Sequence, residues 1–156
     1  MFSLQGKNVI ITGAGSGIGQ AIAVLFAKQG AHVEVLDLNT ETAQTTVDLI
    51  TAAGGSAQAS ACDVGSVDGV KKLFDDIAAR HGGKIDILVN NAGIAHIGTA
   101  LTTTEADMDR LYRVNIKGVY ACANAALAHM TVRQSGVILN MCSIAPHMGP
   151  ADRFAH

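Results

Sequence analysis

Charge is scarce in this sequence: Asp, Glu, Lys and Arg together make up 15% of its 156 residues, against 49% hydrophobic residues. That balance excludes a disordered chain, and the length is enough to enclose one continuous core. Basic runs are also missing. None is longer than Lys71-Lys72, the formal net charge is −2 and the sequence pI is ≈ 6.3, which removes the footprint of a nucleic-acid-binding protein. No apolar stretch approaches the roughly 18 residues of a membrane span. Met1–Lys7 lacks a charged region followed by an apolar one, so the chain reads as cytoplasmic, with no membrane or nucleic-acid partner.

Cysteine is limited to Cys62, Cys122 and Cys142, an odd number at wide spacing in apolar or Ala-rich segments. All three are expected to be buried thiols, without redox or metal duty. The six histidines form no Cys/His cluster in the sequence, so no metal site is expected and each histidine is assigned to the surface or a pocket edge. Only Pro146 and Pro150 interrupt the chain, both near its end, and no repeat or low-complexity linker divides it. Residues 1–156 therefore read as a single domain.

What is present is an alternation of short strand-like runs with longer helical periods. The runs are Asn8–Thr12, His32–Asp37, Ala57–Asp63, Ile85–Asn90 and Gly136–Met141. Between them lie apolar stripes at helical spacing: Ile18, Ile22, Leu25 and Phe26; Ala43, Val47 and Ile50; Val67, Val70, Phe74 and Ile77; and Val119, Cys122, Ala126 and Met130. Gly30, Gly54-Gly55 and Gly82-Gly83 follow three of these helices, where a left-handed residue ends the last turn. The pattern predicts an α/β fold, a doubly wound parallel sheet of strand order 3-2-1-4-5 with its ligand crevice at the carboxyl ends of the strands.

Directly after the first run comes Thr12-Gly-Ala-Gly-Ser-Gly-Ile-Gly19, opening into the first helical stripe. Gly13 permits a tight turn, Gly17 lets backbone approach a pyrophosphate, and Gly19 lets helix and strand pack closely. Ser16 and Ile18 lie in the same loop, at a helix N-terminus whose N–H groups favour an anion. A flexible turn uses similar residues, but this loop is followed by an acidic residue, Asp37, 18 positions beyond Gly19 at the end of the second strand. That is close to the ~20 expected of a carboxylate that holds a ribose. A 2′-phosphate would meet that negative charge, and neither Ala14, Gly15, Ser16 nor Leu38 supplies a guanidinium, so NAD is favoured over NADP. The plainer alternative makes Asp37 a helix cap before Asn39-Thr40.

With Asn90-Asn91-Ala92-Gly93 after the fourth run, the sequence resembles the short-chain dehydrogenase/reductase family over its whole length. The resemblance implies a Rossmann-like fold. It also implies that Asp63 and Val64 meet the adenine, and that Asn90, Ala92 and Gly93 border the adenosine ribose and the nicotinamide side. Ser143, just past the fifth strand, would hold the substrate oxygen, and Asn115, early in a long helix, would orient a lysine through water. As plain polypeptide, Asn90–Gly93 and Ser143 are also ordinary turn residues. A sugar-nucleotide epimerase would share the dinucleotide fold, but Asn-Asn-Ala-Gly favours the simpler dehydrogenases.

The family's Tyr-x-x-x-Lys motif does not occur in the 156 residues. Its usual separation from Ser143 places His156 in the tyrosine position, so the fold is expected to be incomplete on its C-terminal side. Histidine carries a proton near pH 6.5, but with no lysine following. The expected activity is hydride transfer between NAD(H) and a small-molecule alcohol or ketone, the alternative being a dinucleotide-binding chain impaired in turnover. Ile94–Leu101 and Ile144–Ala155 would wall the substrate. An uncovered fifth strand would present unpaired backbone and an apolar face, from which self-association into a homo-oligomer is expected.

Overall fold

A computed structural model describes residues 2–143 and 154 of the chain. Five strands, β1 (Asn8–Thr12), β2 (His32–Asp37), β3 (Ser56–Ala61), β4 (Ile87–Asn90) and β5 (Val137–Asn140), form one sheet in the order β3-β2-β1-β4-β5. Every pair is parallel, with Asn8 opposite His32, Val9 opposite Ile87 and Ile87 opposite Val137. The crossovers carry α1 (Gly17–Lys28), α2 (Thr40–Ala52), α3 (Val67–Arg80), α4 (Glu105–Leu111) and α5 (Val119–Arg133). The sequence expectation holds, with β3, β4 and β5 a residue or more shorter than the apolar runs suggested.

Alternation along the strands divides the core between the two faces of the sheet. Val9, Ile11, Val33, Val35 and Val89 pack with Ala23, Ala27, Ala43, Val47 and Ile50 of α1 and α2. Ile10, Leu36 and Leu88 pack on the other face with Val70, Phe74 and Ile77 of α3 and Cys122, Ala126 and Met130 of α5. The α2 stripe is buried as expected, and so is the α3 stripe apart from Val67 in its first turn. The α1 stripe is a correction. Ile18 and Leu25 are exposed, Ile22 and Phe26 flank the core, and the helix faces the sheet with Gly19, Ala23 and Ala27. Small side chains at i, i+4 and i+8 let the helix axis sit close to the strands, which larger ones would prevent.

Cys62 and Cys122 are buried, and burial pushes their thiols up to about 11 and about 12, so both stay protonated and inert. Cys142 is exposed, contrary to expectation, because it lies beyond the edge strand β5 at the open end of the sheet. On β5 itself Val137 and Leu139 are half-exposed, as an uncovered strand requires. Among the described residues, no helix is long and apolar enough to cross a membrane.

The closed end of the sheet is pinned by Asp86, just before β4 and 7% exposed. Its carboxylate accepts the Asn8 N–H at 2.9 Å and an Arg133 guanidinium N–H at 3.0 Å, joining β1 and the end of α5. Burial opposes ionisation, but these bonds outweigh it and hold the carboxyl below the usual Asp range. With the folded value depressed, the stabilisation is full above the unfolded Asp pKa of about 3.9 and is lost as pH falls through the lower folded value. Asp86→Asn is expected to cost about 1.5–3 kcal/mol at pH 7 and to flatten the loss of stability below about pH 4, measured by urea unfolding across pH.

Candidate functional site

The chain runs outward from β1 through β2 to β3 and then returns to the far side of β1, so the loops after β1 and β4 diverge and leave a crevice. Thr12 ends β1, and Gly13 turns the chain at φ 62°. Ala14 N–H donates to Leu36 O at 3.0 Å, and Thr46 Oγ1 donates to Ala14 O at 2.9 Å, fixing the loop against β2 and α2. Ser16 is the N-cap of α1, yet its side chain makes no capping bond, which leaves the helix start available to an outside acceptor. Gly17 sits at φ 56° with open space where a Cβ would point. At Gly19 the reverse holds: a Cβ would overlap Gly13 O and Asn91 Nδ2. Helix and loop therefore pack closely at Gly19, while Gly17 leaves the helix start open.

Asp37 ends β2 with its carboxylate turned into this loop, where Oδ2 accepts the Gly15 N–H at 2.9 Å and Oδ1 accepts the Asn39 N–H at 3.2 Å. Asp37 does not cap α2. That task falls to Asn39, whose side chain accepts the Glu41 and Thr42 N–H groups. Asp63 accepts the Gly65 N–H at 2.9 Å and pairs with the guanidinium of Arg113. A cleft of about 290 Å3 joins these groups, lined by Gly13, Ser16, Asp37, Leu38, Asp63 and Val64 together with Asn91, Ala92 and Gly93.

A second hollow, about 390 Å3, begins where the first ends and shares Asn91, Ala92, Gly93 and Ile94 with it. Its remaining lining includes Asn90, Asn115 and Ser143. Asn90 is buried on this side, donating Nδ2–H to Asn140 Oδ1 at 2.8 Å, while its own Oδ1 has no hydrogen-bond partner among the described residues. Of the residues expected to border the ribose and the nicotinamide side, Asn90 thus lines the second hollow and Gly93 lines both. Asn115 belongs to a π-helical segment, Tyr112–Gly118, that joins α4 to α5. It is therefore well inside a helix that starts at the Thr104/Asp107 capping box, not early in one. Its amide forms a two-way clamp on Ile94, accepting the backbone N–H and donating to the carbonyl, both at 2.9 Å. His156 and most of Ile144–Ala155 lie outside the described residues. Phe154, which is described, donates its N–H to Gly98 O at 3.0 Å, so the two expected walls meet there.

Sequence reasoning passed over the residues that hold the two loops together. Thr12 Oγ1 accepts the N–H groups of Asn91 and Ala92 at 3.1 and 3.0 Å, and Asn91 Nδ2 donates to Thr12 O and Gly13 O at 3.0 Å. The signal was a hydroxyl at the last position of the strand beside an amide in the next motif. Arg113, beside Asp63, carried no such signal. The scattered histidines need correction as well: the fold gathers His32, Glu34 and His81 at the other end of β2. A larger hollow of about 530 Å3 beneath Phe2, Lys28 and Gly54 lies away from all of the expected site residues.

A doubly wound parallel sheet with a glycine loop, a strand-end carboxylate and a cleft at the topological reversal defines a Rossmann-like fold. The sequence pattern described as short chain dehydrogenase matches residues 7–155. The chain belongs to that family. It is 42% identical to an uncharacterized oxidoreductase of Thermotoga maritima over 149 residues, 94% of this chain and 57% of that protein. It superposes on a 7α-hydroxysteroid dehydrogenase in complex with NADH and 7-oxo glycochenodeoxycholic acid with a TM-score of 0.90 at 38% identity, covering 97% of this chain and 61% of the other. A metagenomic short-chain oxidoreductase in complex with NADP gives 0.91 at 35% identity, covering 97% and 69%. The chain thus spans little more than half the length of the first of these relatives.

Two substitutions test the scaffold of the site. Thr12→Val removes the acceptor of two partly buried N–H groups and is expected to destabilise the fold by about 1–3 kcal/mol in denaturant unfolding. Asn115→Ala is expected to leave the sheet intact but to speed hydrogen exchange at the Ile94 amide by at least about tenfold, since the clamp supplies that amide's bond.

Proposed function

We propose that the protein is an oxidoreductase that uses NAD(H) to interconvert a small-molecule alcohol and ketone. The observation that carries this reading is the Asp37 carboxylate, fixed by the Gly15 N–H in a cleft whose lining contains two carboxylates and no cation. Such a carboxylate accepts ribose hydroxyls and repels a 2′-phosphate, which supports NAD over NADP. The uncapped start of α1 and the open space at Gly17 suit a diphosphate, and Asp63, Val64, Ala92 and Gly93 would line the rest of the nucleotide's path.

A bound nicotinamide would supply or accept the hydride. The chain's own contribution is positional: Ser143 lines the second hollow and would hydrogen-bond the substrate oxygen, while Asn115 fixes Ile94 at the junction of the hollows. His156 would occupy the acid–base position that the family fills with tyrosine. The rival reading is a chain that binds dinucleotide without turnover. Association with a second copy through the half-exposed edge of β5 and a cytoplasmic location belong to the same proposal.

Calorimetry with NADH and NADPH tests the cofactor assignment. NADH is expected to bind more tightly, and Asp37→Ala to weaken it roughly 10- to 150-fold, the loss of a charged hydrogen-bonding group, while narrowing the gap to NADPH. Equal affinities unaffected by the substitution would refute it. Absorbance decay of NADH with a panel of ketones tests turnover: activity that falls about 100-fold or more in Ser143→Ala supports the enzyme, whereas binding without decay supports the rival.

A further inference from the structure

Glu34 is the most deeply buried acidic residue of the core: it lies in the middle of β2 with its side chain 0% exposed. Two residues earlier, His32 opens the strand and projects from the same face of the sheet. His81 is the C-cap of α3, which packs on that face. The topology therefore brings two imidazoles to one carboxylate. Glu34 Oε1 lies 2.9 Å from His81 Nε2 and 3.6 Å from His32 Nε2, and the two rings are 4.7 Å apart.

The hydrogen bonding around this group is uneven. His32 Nδ1 is 2.7 Å from Ser56 Oγ, whereas its Nε2 is buried without a hydrogen-bond partner among the described residues. Nε2 stands 3.6 Å from Glu34 Oε1, beyond hydrogen-bond reach, so this buried ring nitrogen is left over beside a carboxylate. On the outer side, Arg80 donates to Oε2 at 3.0 Å and leaves Oε1 to the imidazoles.

We propose that His32 Nε2, His81 Nε2 and Glu34 Oε1 form a structural binding site for a divalent transition-metal ion of the zinc class. Their donor atoms all lie within 4.8 Å of one another. Tetrahedral zinc with bonds of about 2.0–2.1 Å needs ligand atoms about 3.3 Å apart; 2.9 and 3.6 Å lie close to that, and the two imidazole nitrogens, within 4.8 Å of each other, would close toward the same spacing on binding. Nitrogen donors favour zinc, cobalt, nickel or copper over magnesium and calcium. Ser56 and Arg80 would orient an imidazole and the carboxylate from outside the ligand set, the usual support of such sites. Both imidazoles are partly exposed, at 25% and 18%, which leaves room for water as a fourth ligand. Since β2 begins at His32 and ends at Asp37, the ion would sit at the opposite end of the strand from the dinucleotide cleft. There it would tie β2 to the end of α3 and stabilise the fold, taking no part in hydride transfer.

The test uses chelator-stripped protein titrated with Zn2+ against a chromophoric competitor, with thermal unfolding followed in parallel. One ion per chain and a rise in Tm are expected. Both should be lost in His81→Ala, with Zn2+ affinity falling by more than about 100-fold, since even an outer partner is worth 10–100-fold. NADH affinity should be unchanged in that variant. His129→Ala, which removes an imidazole paired with Asp75 elsewhere, should retain the wild-type response. If His81→Ala fails to fold by circular dichroism, His32→Ala takes its place, and Co2+ bound to wild-type protein should show the intense visible bands of a tetrahedral site. Absence of stoichiometric binding would overturn the proposal, leaving a buried ion pair only; so would binding that survives loss of either imidazole.

Discussion

The hydroxyl of Thr12 is the joint on which the cleft depends. Ladder hydrogen bonds stop where strands stop, and the crevice opens where β1 and β4 lead their chains apart, so nothing in the sheet itself holds the two following loops at a fixed separation. One oxygen accepting two N–H groups, with the Asn91 amide returning two bonds to the carbonyls of Thr12 and Gly13, supplies that link. Each bond contributes on the order of 1 kcal/mol net. Their value is geometric: they set the place where the diphosphate loop and the wall of the second hollow share a boundary. The side-chain-free close approach at Gly19 follows, because the same Asn91 amide fills the space a Cβ would need.

The two ends of the sheet solve opposite electrostatic problems. At the carboxyl ends, partial positive charge from the start of α1 and the carboxylates of Asp37 and Asp63 remain at the surface of a cleft, available to a ligand. At the amino ends, charged groups are satisfied internally: Asp86 by Asn8 and Arg133, Glu34 by Arg80 and His81. Breaking a buried pair leaves a charge without compensation and is costly, so this end is rigid where the other is open.

The sequence revealed what backbone geometry dictates. The glycine loop was legible because positive φ and close approach admit almost no other residue, β1 because a strand buried on both faces is a near-continuous apolar run, and β2 because Val33, Val35 and Leu36 stand out between its polar residues. The α1 stripe misled because periodicity weighs large apolar residues, whereas the helix sits close to the sheet through Gly19, Ala23 and Ala27. Cys142 looked like core by its neighbours, but the strand before it lies at the edge. His32 and His81 are 49 positions apart in the sequence; only the β2-to-α3 packing brings them together, and a one-dimensional search for metal-ligand spacing cannot register that.

Asn115 shows how a motif residue can carry a local structural task that its motif does not reveal. A π turn has no reliable sequence signature, yet it commonly marks functional positions within helices. Here the widened segment Tyr112–Gly118 presents the Asn115 amide to Ile94 while Gly118 packs so closely on Val64 that a Cβ there would crowd its side chain. Ile94 and Val64 lie on the dinucleotide cleft, and Ile94 also lines the Ser143 hollow. The same seven residues therefore set both the floor of one cavity and the wall of the other. With one hydrogen bond committed at each end of its amide, Asn115 holds the Ile94 loop, and the π turn is the structural reason that the placement of Ile94 is fixed.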